Sequence, residues 1–347
     1  MKRAKNRPET TGRVHVPPEW DAHECCVMAF CAADDLYSGA QIDGIQYEQV
    51  CLARAIARFE PVVMLSHPYD LNYLRKACGP NVTVVEMDHY DIWTRDTLPT
   101  YGYDRSSTRC GISWNFNIWG EKFSGYDNDR RLAEQFTASR GEELIFSDLI
   151  CEGGALEFDG DGTVMTTKST LLNSNRNPGL SMTDIEKILQ ELAGVESIIW
   201  LPGEDGGITD GHIDGFARFV RPGLVVAETT DDPLDPEYDI LLENLEHLQD
   251  QKDARGRSLE IVPIKRPRWH ILGECSESFS ASYINYYLAN NGLITAKFDD
   301  PIRDFEALDT LSRLMPDRKV VQIFVDEICE AGGGIHCSTQ QIPVKLS

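Results

Sequence analysis

One unit recurs along this chain, an amphipathic helix followed by a short β-branched strand, and no Pro/Ser/Gly-rich linker separates the copies. Gln46 to Phe59 carries apolar residues at helical spacing and leads into Pro61 to Leu65. Asn128 to Ser139 leads into Glu143 to Phe146. Thr183 to Ala193 puts Ile185, Ile188, Leu189 and Leu192 on one face, with Ser181 and Asp184 as a capping box, and leads into Ile198 to Leu201. Tyr238 to Leu248 leads into Leu259 to Ile264, and Phe305 to Leu314 into Lys319 to Val325. Between these units lie strand-like stretches: Val82 to Met87, Gly162 to Thr167, Leu224 to Thr229 and Gly292 to Lys297.

Alternating helices and strands predict an α/β protein with parallel pairing. A doubly wound sheet usually carries a Gly-rich turn after its first strand, and no GxGxxG follows an early strand here. A closed array of five repeats fits the same pattern. Periodicity alone leaves both open.

The chain's 347 residues, 41% of them hydrophobic, suffice for a large core. Its formal net charge of −23 argues against nucleic acid and anionic membranes as partners. Small cations are drawn to such a chain. No run approaches the roughly 18 apolar residues of a membrane-spanning helix, and Met1 to Arg13 has no apolar signal core. The ten cysteines form no CxxC pair, which predicts reduced thiols and a cytoplasmic setting. Residues 1–15 read as a tail and 16–347 as one catalytic domain, with a homo-oligomer left open.

Four segments could carry chemistry. Gly332-Gly333-Gly334 precedes Cys337, and amide N–H groups around a tight loop would lower a thiol pKa and favour the thiolate nucleophile. An inert cysteine after a glycine turn fits as well. His212 and Asp214, two residues apart, share a face if extended, which suits acid–base chemistry or zinc. Asp91 to Asp96 (DIWTRD) offers the Asp96 carboxylate and the flat face of Trp93, or simply an Arg95–Asp96 pair. Cys151 to Gly154 (CEGG) sets Glu152 beside two glycines, as a site carboxylate or as a bulge. The aromatic stretch 114–120 (WNFNIWG) reads as core. A thiolate, a histidine and several carboxylates suit a planar cationic electrophile such as a guanidinium.

Taken together, DIWTRD, WNFNIWG, CEGG, TDGHID and GGGIHCSTQQ resemble the agmatine deiminase family, which includes bacterial-type peptidylarginine deiminases. PPEWDAHE at 17–24, LLNSNRNP at 171–178 and ASYINYY at 281–287 extend the resemblance over residues 16–343. It implies a five-bladed, pseudo-symmetric α/β propeller, the pentein fold, with its site on the central axis. It implies a hydrolase acting on C–N bonds of linear amidines. Agmatine would go to N-carbamoylputrescine and ammonia, in arginine metabolism and polyamine (putrescine) biosynthesis. The alternatives are another guanidino substrate (arginine, peptidyl arginine or a biosynthetic intermediate) or amidino transfer.

By the same resemblance Cys337 is the nucleophile that forms a thiouronium, and His212 the general acid and then base. Asp96 and Asp214 grip the guanidinium, Glu152 orients His212, and Trp93 and Gly334 contact substrate. No metal and no cofactor is implied. Three positions depart from the family pattern: Phe30-Cys31 stands for Trp-Pro, Gly120-Glu121 for Gly-Gly, and Ile208 for the acid that helps hold agmatine's ammonium. Glu204, Asp205 or Asp210 could replace that acid.

Overall fold

The computed structural model describes residues 12–32, 36–204, 206–273, 275–276 and 278–346. Its strands form five sheets of three or four strands, and each sheet repeats one construction. A first strand turns back into a second, antiparallel to it. A helix then crosses to a third strand, parallel to the second.

In blade two these are Thr100–Asp104, Arg109–Ser113, helix Asp129–Arg140 and Glu143–Phe146. Blade three runs Glu157–Phe158, Thr163–Thr167, helix Met182–Ala193 and Ser197–Leu201. Blade four runs Ala217–Arg221, Leu224–Thr229, helix Tyr238–Gln249 and Glu260–Lys265. Blade five runs Tyr287–Ala289, Gly292–Lys297, helix Pro301–Leu314 and Lys319–Phe324.

Blade one closes the ring. Its first strand, Gln340–Pro343, comes from the end of the chain and pairs antiparallel with His23–Ala29, Gln340 opposite Val27. Helix Gly39–Ile56 then leads to Val62–Ser66, Cys26 pairing with Val62. A second helix, Leu71–Ala77, leads to an added strand, Val82–Glu86. The closed array is therefore the outcome, and the doubly wound alternative is not.

Local chemistry explains the elements. Middle strands such as Thr163–Thr167 and Leu224–Thr229 are buried along their whole length, as strands covered on both faces should be. Helix Met182–Ala193 starts on the Ser181/Asp184 capping box and stops at Gly194 in the left-handed conformation. Its Ile185 and Leu189 are fully buried, each contributing about 1.5–3 kcal/mol. Helix Pro301–Leu314 begins four residues before the predicted Phe305, because Asp300 caps it and Pro301 occupies its first turn.

The first described strand, Val14–His15, pairs with Thr100–Asp104, so the sheet begins inside the stretch read as a tail. Residues 1–11 of that stretch lie outside the described residues. No helix among the described residues is long and apolar enough to cross a membrane.

Candidate active site

The first strands of neighbouring blades touch: Gln340–Pro343 meets Thr100–Asp104, and Glu157–Phe158 meets Ala217–Arg221. These strands therefore surround the axis. Each follows closely on a residue of the site: Asp96 before Thr100, Glu152 before Glu157, Asp214 before Ala217, Asn285 before Tyr287 and Cys337 before Gln340. Fivefold repetition gathers into one place residues far apart in sequence.

Gly154 forms the floor. A Cβ built on it would stand 2.6 Å from His212 Nδ1, 3.1 Å from Asp96 Oδ1 and 3.2 Å from Asp214 Oδ2. The three predicted polar residues thus converge on one point, and glycine keeps that point open. Asp96 Oδ1 accepts from the Gly154 N–H at 3.0 Å, and Asp96 Oδ2 from Trp119 Nε1 at 2.8 Å. Trp119, read from sequence as core, is buried and also a donor to the site.

His212 faces Glu152 Oε2 through Nε2 at 3.3 Å, and Asp96 through Nδ1 at 3.9 Å. Burial works against its charged form. Asp96, the hydrogen bond to Glu152 and Asp214 outweigh burial and hold the imidazole above its ordinary pKa. Glu152 is completely buried and receives Arg176 Nε at 2.8 Å. Burial raises its carboxyl, yet His212 and Arg176 bring it below the usual range. Asp96 is pushed up by burial and by the neighbouring Glu152 and Asp214.

Cys337 Sγ lies 3.7 Å from Asp214 Oδ2 and 3.5 Å from Asn285 Nδ2. A Cβ on Gly334 would stand 2.4 Å from Asn285 Oδ1, so glycine there admits Asn285 beside the thiol. The expected lowering of the thiol pKa is reversed. Burial, then Asp214 and Asp96, push it well above its ordinary value, while the Gly334 backbone and Asn285 pull only partly against them. Trp93 packs against Gly333, whose Cβ would stand 2.5 Å from Trp93 Cζ3. The Arg95–Asp96 pair of the inert reading does not form: Arg95 reaches Gln341 Oε1 at 2.7 Å and the His336 carbonyl at 3.3 Å.

Sequence reasoning missed the layer beneath. Asp214 Oδ2 faces His336 Nδ1 at 2.7 Å, and His336 Nε2 faces Glu19 Oε2 at 2.8 Å. Arg218, fully buried, joins Glu19 at 2.8 Å and Glu157 at 2.9 Å. Burial raises Asp214, and His336, His212 and Arg218 bring it below the ordinary range, so it stays ionised. The signal was present: Glu19, Arg176, Asn285 and His336 all sit in the segments that resemble the family.

A left-handed turn carries Trp119. Ile118, Trp119, Gly120 and Glu121 have φ of 64°, 49°, 87° and 60°. Non-glycine residues pay roughly 1–2 kcal/mol each for this conformation, and Glu121 stands where the family pattern has glycine. Asn117 braces the turn through the Gly120 N–H at 2.8 Å.

Of the candidates for the missing acid, Asp210 is already engaged by Lys122 Nζ at 2.6 Å and Arg176 Nη1 at 2.6 Å. Asp205 lies outside the described residues. Glu204 lines the same cavity of about 830 Å³, mouth included, as Cys337 and Ile208. Among the described residues no group of three or more His, Cys, Asp or Glu could hold a metal ion.

A closed ring of five ββαβ blades with a cysteine, a histidine and three carboxylates on its axis defines a guanidine-modifying enzyme of the pentein class. The chain matches the family model for Porphyromonas-type peptidyl-arginine deiminase over residues 15–343, and it belongs to that family. It is 37% identical to an agmatine deiminase of Pseudomonas fluorescens over 354 residues, covering 95% of each chain. A structure of Enterococcus faecalis agmatine deiminase superposes with a TM-score of 0.88 at 29% identity, covering 96% of this chain and 97% of that one. DDAH from Pseudomonas aeruginosa shares the fold, with a TM-score of 0.51 at 13% identity over 92% of this chain and 100% of that one.

Proposed function

We propose that the protein hydrolyses agmatine to N-carbamoylputrescine and ammonia through Cys337. The observation that carries this is the convergence of Asp96, His212 and Asp214 over Gly154, with Cys337 Sγ beside Asp214. Two buried carboxylates can each take N–H groups of a planar guanidinium and leave its central carbon facing the sulfur. The agmatine deiminase relatives, alike over nearly the whole chain, support the substrate.

The electrostatics explain how a thiol held high becomes a nucleophile. The carboxylates that raise Cys337 are those that would bind the cation. A guanidinium between them offsets their charge, so thiolate forms as substrate arrives and the proton leaves to solvent. The thiolate adds to the guanidinium carbon. Protonated His212, oriented by Glu152, gives its proton to the departing ammonia, leaving a thiouronium on Cys337. Neutral His212 then takes a proton from water and the hydroxide adds to the same carbon; the C–S bond breaks, the hydroxyl proton passes to the departing sulfur, and the ureido product and the Cys337 thiol are released. Trp93 and Gly334 shape the wall around this carbon. No metal or organic cofactor takes part in these steps.

The chain from Val14 onward works on this reading as one catalytic unit. It acts in the cytoplasm on a small guanidino compound, without nucleic acid, alone or as a homo-oligomer. The test is a product screen with agmatine, arginine, a peptidyl arginine and guanidinobutyrate, scoring ammonia and ureido product. Agmatine should be the fastest. Negligible turnover of agmatine beside fast turnover of another guanidine would overturn the substrate.

A further inference from the structure

The cavity that Cys337 lines is lined also by Gly332 and Ile208, and by a charged wall of Glu204, Glu228, Glu237 and Arg266. Glu228 is only 3% exposed and sits on strand Leu224–Thr229 of blade four. Ser282 Oγ donates to its Oε2 at 2.9 Å, while its Oε1 has no hydrogen-bond partner among the described residues. A buried carboxylate oxygen without a donor is costly, and native proteins rarely leave one. Arg266 makes no hydrogen bond or ion pair with Glu228: its Nη1 is shared between Glu237 at 2.9 Å and Asp235 at 3.3 Å, and its buried Nε has no partner among the described residues, so it acts on Glu228 only through its charge. Three carboxyl groups on the wall therefore face a single guanidinium already divided between two acids, and the balance favours a cation.

The position suits the far end of a short substrate. Asn285, in contact with Cys337 Sγ, donates its backbone N–H to Ser282 Oγ at 3.2 Å, and Ser282 holds Glu228. One residue thus separates the nucleophile's neighbour from the unpartnered oxygen. Ile208 offers no charge at the mouth; its Cδ1 lies 2.2 Å from where a Gly332 Cβ would stand.

We propose that Glu228 anchors the primary ammonium at the distal end of the guanidino substrate, in place of the acid absent at position 208. This rests on the deiminase reading above. Burial holds the Glu228 carboxyl up at about 8 among the protein's own groups, and an arriving ammonium favours the ionised form.

The test compares agmatine with butylguanidine, which has the same reacting group and no ammonium, on the wild type and on Glu228→Gln. The amide keeps the shape and can still accept from Ser282. The wild type should prefer agmatine by about 10-fold or more in kcat/KM, the scale of one charge-assisted hydrogen bond. Glu228→Gln should lose about that factor with agmatine, mainly through KM, and leave butylguanidine within roughly 2-fold. Equal wild-type kcat/KM for the two compounds, parallel losses in the variant, or faster wild-type turnover of arginine than of agmatine would each overturn the anchor while leaving deimination intact. No turnover of either compound by the wild type would overturn the deiminase reading and the anchor with it.

Discussion

Cys337 Sγ lies 3.7 Å from Asp214 Oδ2, so the proposed nucleophile sits against a buried carboxylate rather than against a positive charge. The arrangement disfavours thiolate until a cation arrives. On the proposed mechanism, formation of the reactive sulfur is thereby coupled to the arrival of a cationic substrate.

The first prediction follows from that contact. Asp214→Asn removes the charge that, after burial, contributes most to raising the thiol. Substrate-free thiol ionisation, followed by thiolate absorbance, should move to lower pH in the variant. Its kcat/KM should nevertheless fall by about 100-fold or more, because one arm of the guanidinium clamp is lost. An unmoved thiol titration would contradict the electrostatic account.

Gly154→Ala is a steric test. Its Cβ would stand 2.6 Å from His212 Nδ1, in the space over which the clamp closes. We expect kcat/KM to drop about 100-fold, with near-UV circular dichroism unchanged. A fully active alanine variant would mean that the guanidinium binds elsewhere.

His212 gives a pH signature. Its raised pKa lets the protonated imidazole persist to higher pH than a free one would, so kcat should decline on the alkaline side as His212 loses its proton. Glu152→Gln removes one cause of the shift, so the alkaline limb should move to lower pH and kcat should fall by about 10- to 1000-fold. A limb in the same place would assign the proton transfer to another group.

These residues were legible because each motif is local, and the set of motifs in its order carries the resemblance that implies their roles. Cys337 after three glycines, His212 with Asp214, and Glu152 beside Gly154 could be picked out within a few positions of one another. The supporting layer was not legible, because its contacts span the ring: His336 meets Glu19 across 317 residues. The thiol's direction was misread for the same reason, since Asp214 and Asp96 belong to other blades. Outer helix–strand units announced themselves by period. The axial strands did not: Tyr287–Ala289 is only three residues long. The second strand of blade one, His23–Ala29, is buried on both faces and so does not alternate either. Helix Leu71–Ala77 buries only Leu74, too little for an apolar stripe.

Ile208→Glu tests the tail from the opposite side. With Glu228 as anchor, a new acid at 208 should change kcat/KM for agmatine by less than about threefold. A gain of about 10-fold, or ~1.4 kcal/mol of recovered pairing, would mean that the wild type leaves the ammonium unpaired.

Chelation separates thiolate from metal chemistry. His212 has Glu152 and Asp96 against its two ring nitrogens, an arrangement that suits the proton-transfer role proposed for it without a metal. Activity should survive dialysis against EDTA. Loss of activity restored by zinc would favour a metal-dependent hydrolase.

The covalent intermediate is the most direct measurement. Wild-type enzyme quenched during turnover of isotope-labelled agmatine, digested and examined by mass spectrometry, should carry the labelled amidino group on the peptide containing Cys337 and on no other cysteine. Cys337→Ser should form no adduct and release no ammonia. Label on a different cysteine, or continued turnover by the serine variant, would contradict the account.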